Sequence, residues 1–200
     1  PGHLAGPASS VLVGILLASP VAQALSRRLD KKNALATCVI TGGIFAFSPQ
    51  ILYFGGLLPL LDTTTKFALV FCVNGISQVF FIAYIILLDS MLSDSIDEHE
   101  LDSGLREEGL FFAARSFATK ASYGLGSFFA GIGLDIIRFP REATPETVPA
   151  DAVVSLAIFS GPVMLLLFAA TVIISNRYPM TAERHREIMD DIQSKMATEA

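Results

Sequence analysis

Five stretches of this chain are each long and apolar enough to cross a lipid bilayer, and this constrains the fold more than anything else in the sequence. They run over about 6–25, 34–54, 67–88, 109–134 and 152–174. A spanning helix needs about 20 mostly apolar residues to cover a hydrocarbon core about 30 Å thick. The runs are too long for strands and lack the period-2 alternation of a membrane barrel. In lipid every backbone N–H and C=O must be satisfied within the chain, which leaves helices. The expected fold class is an all-α membrane protein, with a transmembrane bundle over 1–178 and a tail over 179–200. Composition agrees: only 16% of the 200 residues are charged, against about 25% in a soluble domain.

Orientation follows from lysine and arginine, which concentrate on the cytoplasmic side of short loops. Arg27, Arg28, Lys31 and Lys32 follow the first span, Arg106 lies in the third connection, and Arg177, Arg184, Arg186 and Lys195 follow the fifth. The other side holds Lys66, Arg138 and Arg141. Nine against three places the first and third connections and the tail in the cytoplasm, and Pro1 outside. The third connection, Asp89 to Glu108, reads as a loop with eight acids. The fourth, about 135–150, carries Pro140, Pro145 and Pro149 and reads as an irregular external loop. Beyond Pro179, Thr181 is placed to cap a short helix, and Ile188, Ile192 and Met196 form a weak apolar stripe. The chain starts at Pro1-Gly2-His3 without an initiator Met or a basic leader. With an odd number of crossings, this leads to the expectation that further sequence lies upstream.

Several function classes find little support. Net charge is −5 without a basic patch, which speaks against nucleic acid. Cys38 and Cys72 lie inside apolar runs and suit neither a disulfide framework nor a metal quartet. His3, His99 and His185 fall in connections or tail, and Asp97-Glu98-His99-Glu100 lacks the second histidine of a zinc-protease helix. There is no phosphate-binding glycine loop and no nucleophile elbow. The expectation is no enzyme, no cofactor and no bound metal.

Lys120 is the sharpest single feature. It lies about eleven residues into the fourth span, roughly 16 Å along the helix and close to the midplane. A charge there costs at least ~2.5 kcal/mol, and such residues usually face a bundle interior or an aqueous cavity. Ser116, Lys120, Tyr123 and Ser127 recur at i, i+4, i+7 and i+11, so they form one polar stripe. The opposite side is assigned Phe112, Leu125 and Phe129. Gly124, Gly126, Gly131 and Gly133 would let a neighbouring helix approach closely. Arg115 lies nearer the start of the span and can either snorkel outward or serve the same site. In the third span Asn74 and Gln78 share a face, as interhelical glue or as hydrogen-bonding groups for a hydroxyl-rich ligand. Pro20, Gln23, Pro49 and Gln50 could kink the first two spans or line a cavity.

The third connection carries a recognisable pattern. Asp94, Asp97, Glu100, Gly104, Arg106, Glu108 and Gly109 match D-x-x-D-[YF]-x-E-x-x-x-G-x-R-x-E-G, with Glu98 in place of the usual aromatic. This resembles the connection between helices ten and eleven of glycoside–pentoside–hexuronide:cation symporters, the melibiose-permease-like branch of the major facilitator superfamily. The basic run from Arg27 to Lys32 is similar to that family's connection between helices eight and nine. The resemblance implies that the five spans are helices 8–12 of 12, the C-terminal bundle of a major facilitator fold. It implies a secondary transporter for a sugar or glycoside, driven by Na⁺ or H⁺, with the main ion ligands outside this chain. It also implies that Lys120 lies between sugar and cation sites, with Ser116, Tyr123, Asn74 and Gln78 as further substrate or coupling residues. Asp94, Asp97, Glu100, Arg106 and Glu108 would form a cytoplasmic gate. The implied partners are the lipid bilayer, the N-terminal helical bundle of the same protein and a small-molecule substrate, in an inner or plasma membrane. Two rivals are a lipid or amphiphile carrier and a non-transporting membrane sensor or assembly subunit. Asn74 and Gln78 favour a polar substrate over the first, and Lys120 argues against the second.

Overall fold

The computed structural model describes residues 5–140, 144, 147–178, 183–184 and 186–191, apart from the side chains at 5–10, 13, 59 and 150. Expectations placed on Pro1, His3, Arg141, Pro145, Pro179, Thr181, His185, Ile192, Lys195 and Met196 lie outside the described residues.

Five long helices make up the fold: α1 (Ala5–Arg28), α2 (Lys31–Phe54), α3 (Thr63–Ser103), α4 (Glu108–Ile136) and α5 (Ala150–Ser175), with a 3₁₀ turn at Leu58–Leu60. No strand occurs among the described residues. Each apolar stretch of the sequence lies within one helix. Among the described residues, α2, α3 and α5 (from Asp151) are long and apolar enough to cross a membrane. Arg115, Lys120 and several hydroxyls make α4 more polar. Pro20 and Pro49 sit within helices that continue past them.

One expectation is corrected. The third span was expected to end near residue 88 and give way to an acidic loop. Instead α3 is a single helix of 41 residues that carries the acidic run as far as Ser103. A membrane template stops where hydropathy falls, but a helix has no reason to stop there if its ends are satisfied. Both ends of α3 are. Asp62 caps the start, accepting from the backbone N–H of Thr64 at 3.0 Å and of Thr65 at 3.1 Å. These bonds and one from the Thr65 hydroxyl, the strongest of them, hold the Asp62 carboxyl below the usual range. Gly104 closes the other end in the left-handed conformation, φ 73°, and its N–H donates to the Glu100 carbonyl. Such a terminus suits a residue without Cβ.

The chain forms two compact units, residues 1–106 with 168–200, and residues 107–167. In the first unit α3 packs along both α1 and α2. Its core is built from small residues and a few larger ones: Ala18, Ala22, Ala34, Leu35, Cys38, Ala83, Leu87 and Met91. Small residues bring helix backbones close, so that dispersion and interhelical hydrogen bonds can hold them without a hydrophobic drive. At Gly14 an added Cβ would meet Gln78 Cβ at 3.0 Å, and at Gly43 it would meet the Phe168 ring at 2.8 Å. The Ser77 hydroxyl donates to the Gly42 carbonyl at 3.0 Å, linking α3 to α2. In the second unit Gly133 of α4 is buried against Phe159 of α5. Nearby, Ile137, Ser155, Ile158, Phe159, Pro162 and Val163 line an apolar cavity of about 520 Å³.

Candidate functional site

Charge is organised at the C-terminal end of α3. Asp94 faces α2 and is only 3% exposed. Lys31, the first residue of α2, donates to both of its carboxylate oxygens, at 2.6 and 2.7 Å. A carboxylate this buried needs a paired and hydrogen-bonded cation to remain charged. One to two turns further on, Arg106 reaches back from beyond the helix end to the acids of the last turns. It donates to Glu100 at 2.6 Å and to Asp97 at 3.2 Å, with half its side chain exposed. The acids and Arg106 expected to act together therefore divide into two sets, and Asp94 pairs with Lys31 rather than Arg106. Glu108, expected among them, opens α4 in the second unit, where a carboxylate suits the positive end of the helix dipole.

Sequence reasoning placed Lys31 in a basic run without assigning it a partner. Tyr178, just beyond α5, was missed altogether. Its hydroxyl donates to the Met91 carbonyl of α3 at 2.9 Å. Burial pushes Tyr178 up to about 12, a hydrogen bond with Ser95 opposes this, and the charges of Asp94 and Glu98 add to it. Beyond it, Ile188 is fully buried against Leu101 and Tyr178. A cavity of about 540 Å³ lies beside Tyr178, walled by Leu35, Tyr84, Leu88, Met91 and Ile174 with Arg177 at its edge.

The intramembrane candidates are arranged differently. On α4, Ser116, Lys120, Tyr123 and Ser127 form a continuous exposed stripe, and Tyr123 is 74% exposed. Phe112, expected on the opposite face, stands four residues before Ser116 and so extends the stripe by one turn. Gly133 is the only buried residue among those described in α4, so little of this helix is covered by its own unit. Arg115 is half-buried. Asn74 and Gln78 belong to the other unit. The Asn74 amide donates to the Val70 carbonyl of its own helix at 2.8 Å, and Gln78 packs against Gly14 of α1.

Comparison with known proteins follows the same lines. A family model described as MFS/sugar transport protein matches residues 7–182. An uncharacterized symporter from a Synechocystis strain is 30% identical over 86% of this chain and 30% of its own length. An uncharacterized symporter from Bacillus subtilis is 30% identical over 53% of the chain and 23% of its own length. A lactose permease from Lactobacillus delbrueckii subsp. bulgaricus is 28% identical over 60% of the chain and 20% of its own length. The chain thus spans less than a third of the length of these relatives. No solved structure matches it.

Proposed function

The chain belongs to the MFS/sugar transport protein family, the family its acidic motif resembles, and from that membership we propose that it is part of a cation-coupled symporter for a sugar or glycoside, working by alternating access. It supplies helices eight to twelve, and the rest of the transporter supplies the N-terminal bundle and the main ligands of Na⁺ or H⁺. The observation that carries this reading is the charge cluster at the end of α3. Lys31 with Asp94 is an ion pair between α2 and α3, and Arg106 with Asp97 and Glu100 is a local ion pair that folds the chain after α3 back onto the end of that helix. Pairs of this kind suit a cytoplasmic gate that forms in one state and opens in the other.

In this reading Lys120 meets the carboxylates of the N-terminal bundle across the central cavity. Its exposed stripe is the surface left for that bundle and for substrate, since a lysine near the midplane needs a polar neighbour rather than lipid. Ser116 and Tyr123 supply hydroxyls on the same face of α4, and Asn74 and Gln78, on α3, are separate candidates for hydrogen-bonding a hydroxyl-rich substrate. One relative is a lactose permease, so β-galactosides are the first substrates to try. In proteoliposomes holding the complete protein, a Na⁺ or proton gradient should drive accumulation of radiolabelled lactose or a related galactoside. Lys120→Ala should lower it at least tenfold while leaving the amount of inserted protein unchanged. Normal accumulation in that variant would remove Lys120 from the coupling site.

A further inference from the structure

The chain beyond α5 touches α3 on either side of the charge cluster. Tyr178 holds the Met91 carbonyl, and Ile188 is buried against Leu101. Met91 and Leu101 are ten residues apart, roughly 15 Å along a helix. Asp94, Asp97 and Glu100 all fall between them. In this outer part of α3 the helix has little apolar packing of its own, for beyond Met91 only Asp94 and Ile96 are buried. Ile188, in contrast, stands among exposed charged residues, Arg184, Arg186, Glu187, Asp190 and Asp191. An apolar side chain at 0% exposure in such a sequence, with the half-buried Met189 beside it, is an anchor, because its charged neighbours have no reason to leave water.

We propose that the two contacts made by Tyr178 and Ile188 strap down the acidic end of α3, so that unseating of Ile188 precedes separation of Lys31 from Asp94. These two contacts then regulate the gate. The functional meaning rests on the transport reading, but the physical coupling does not. The structural basis is shared backbone: the Tyr178 and Ile188 contacts and the Lys31 pair all act on one uninterrupted helix, 91–101.

The test uses the complete protein in lipid nanodiscs, without substrate, so that its failure is distinguishable from failure of the transport reading. Backbone hydrogen exchange is followed at 97–103, and the Lys31 amine is labelled with an acylating reagent and read by mass spectrometry. Ile188→Asp should speed exchange at 97–103 by roughly tenfold or more and raise Lys31 labelling with it. Ile188→Val should leave both near wild type. Exchange at 79–87 monitors the core. If Ile188→Asp loosens that core, Ile188→Ala and Tyr178→Phe, which remove less, are judged by the same criterion. Faster exchange at 97–103 with unchanged Lys31 labelling would make the tail a passive cover and overturn the proposal. Unchanged exchange would overturn it as well.

Discussion

At the scale of single residues, the most consequential pair is Lys31 with Asp94. Removing one member of a buried pair leaves the other charge without compensation, which costs about 3–5 kcal/mol, whereas replacing both by apolar residues of similar size is often neutral. The Lys31 side chain is 27% exposed, so the lower end of that range applies. Lys31→Ala is expected to lower the thermal midpoint of the purified protein in detergent clearly, and Lys31→Met with Asp94→Leu to restore most of it. A double variant no better than the single one would show that the pair is not what stabilises this junction. Tyr178 gives a pH dependence with a definite sign. Its folded value, about 12, lies above the ordinary 10, so the native state favours the neutral phenol. The associated stability is fully present below pH 10 and is lost as pH rises from 10 to 12. Other groups titrate there too, so the measurement is the difference between the wild type and Tyr178→Phe in an alkaline melt. The wild type should lose more stability across that window, and parallel curves would contradict the assignment.

At the scale of elements, helix existence was legible and helix extent was not. The five apolar blocks located five helices because lipid leaves the backbone no other way to bond. The overrun of α3 past residue 88 was hidden, since hydropathy marks where a helix leaves lipid and says nothing about where it ends. Gly104 was visible in the sequence, but only as a motif letter. Its φ of 73° makes it a helix stop. The polar stripe on α4 was readable from 3.6-residue spacing, whereas the misplacement of Phe112 was an error of angle. Pairings between elements were out of reach: nothing in the sequence brings Lys31 to Asp94, 63 residues away, or Tyr178 to Met91. Of the four α4 glycines expected to admit a neighbouring helix, only Gly133 meets one, for a Cβ at Gly124, Gly126 or Gly131 would find nothing within 4 Å. At Gly133 a Cβ would lie 2.5 Å from the Phe159 ring, so Gly133→Ala should cost about 1–3 kcal/mol by overpacking. Phe159→Leu in the same chain should recover part of that loss. A thermal midpoint unchanged by Gly133→Ala would mean that the ring yields freely.

At the scale of the whole molecule, the central question is how the helices thread the bilayer. The charge rule puts the acidic end of α3 in the cytoplasm and its Asp62-capped start outside. With Cys38 and Cys72 replaced by alanine, a membrane-impermeant maleimide should label Thr64→Cys in intact cells and Asp102→Cys only after permeabilisation. Labelling of both from outside would reverse or break the threading. The size of α3 has a mechanical consequence. Forty-one residues make a rod about 60 Å long, twice the thickness of the hydrocarbon core. It contains no proline from Thr63 to Ser103, and a helix without such a break bends only gently. Such a rod works as a lever with its fulcrum in the membrane. A tilt of about 10° in the spanning half swings the end of a 15-residue outer arm by roughly 4 Å. Asp94 stands about six residues out along that arm, so the same tilt moves it by roughly 1.6 Å, enough to stretch its 2.6 Å contact with Lys31 beyond the roughly 4 Å reach of an ion pair. A small change of slope inside the bilayer, too slight to disturb the alanine-lined core, is therefore magnified outside it into a contact made or lost.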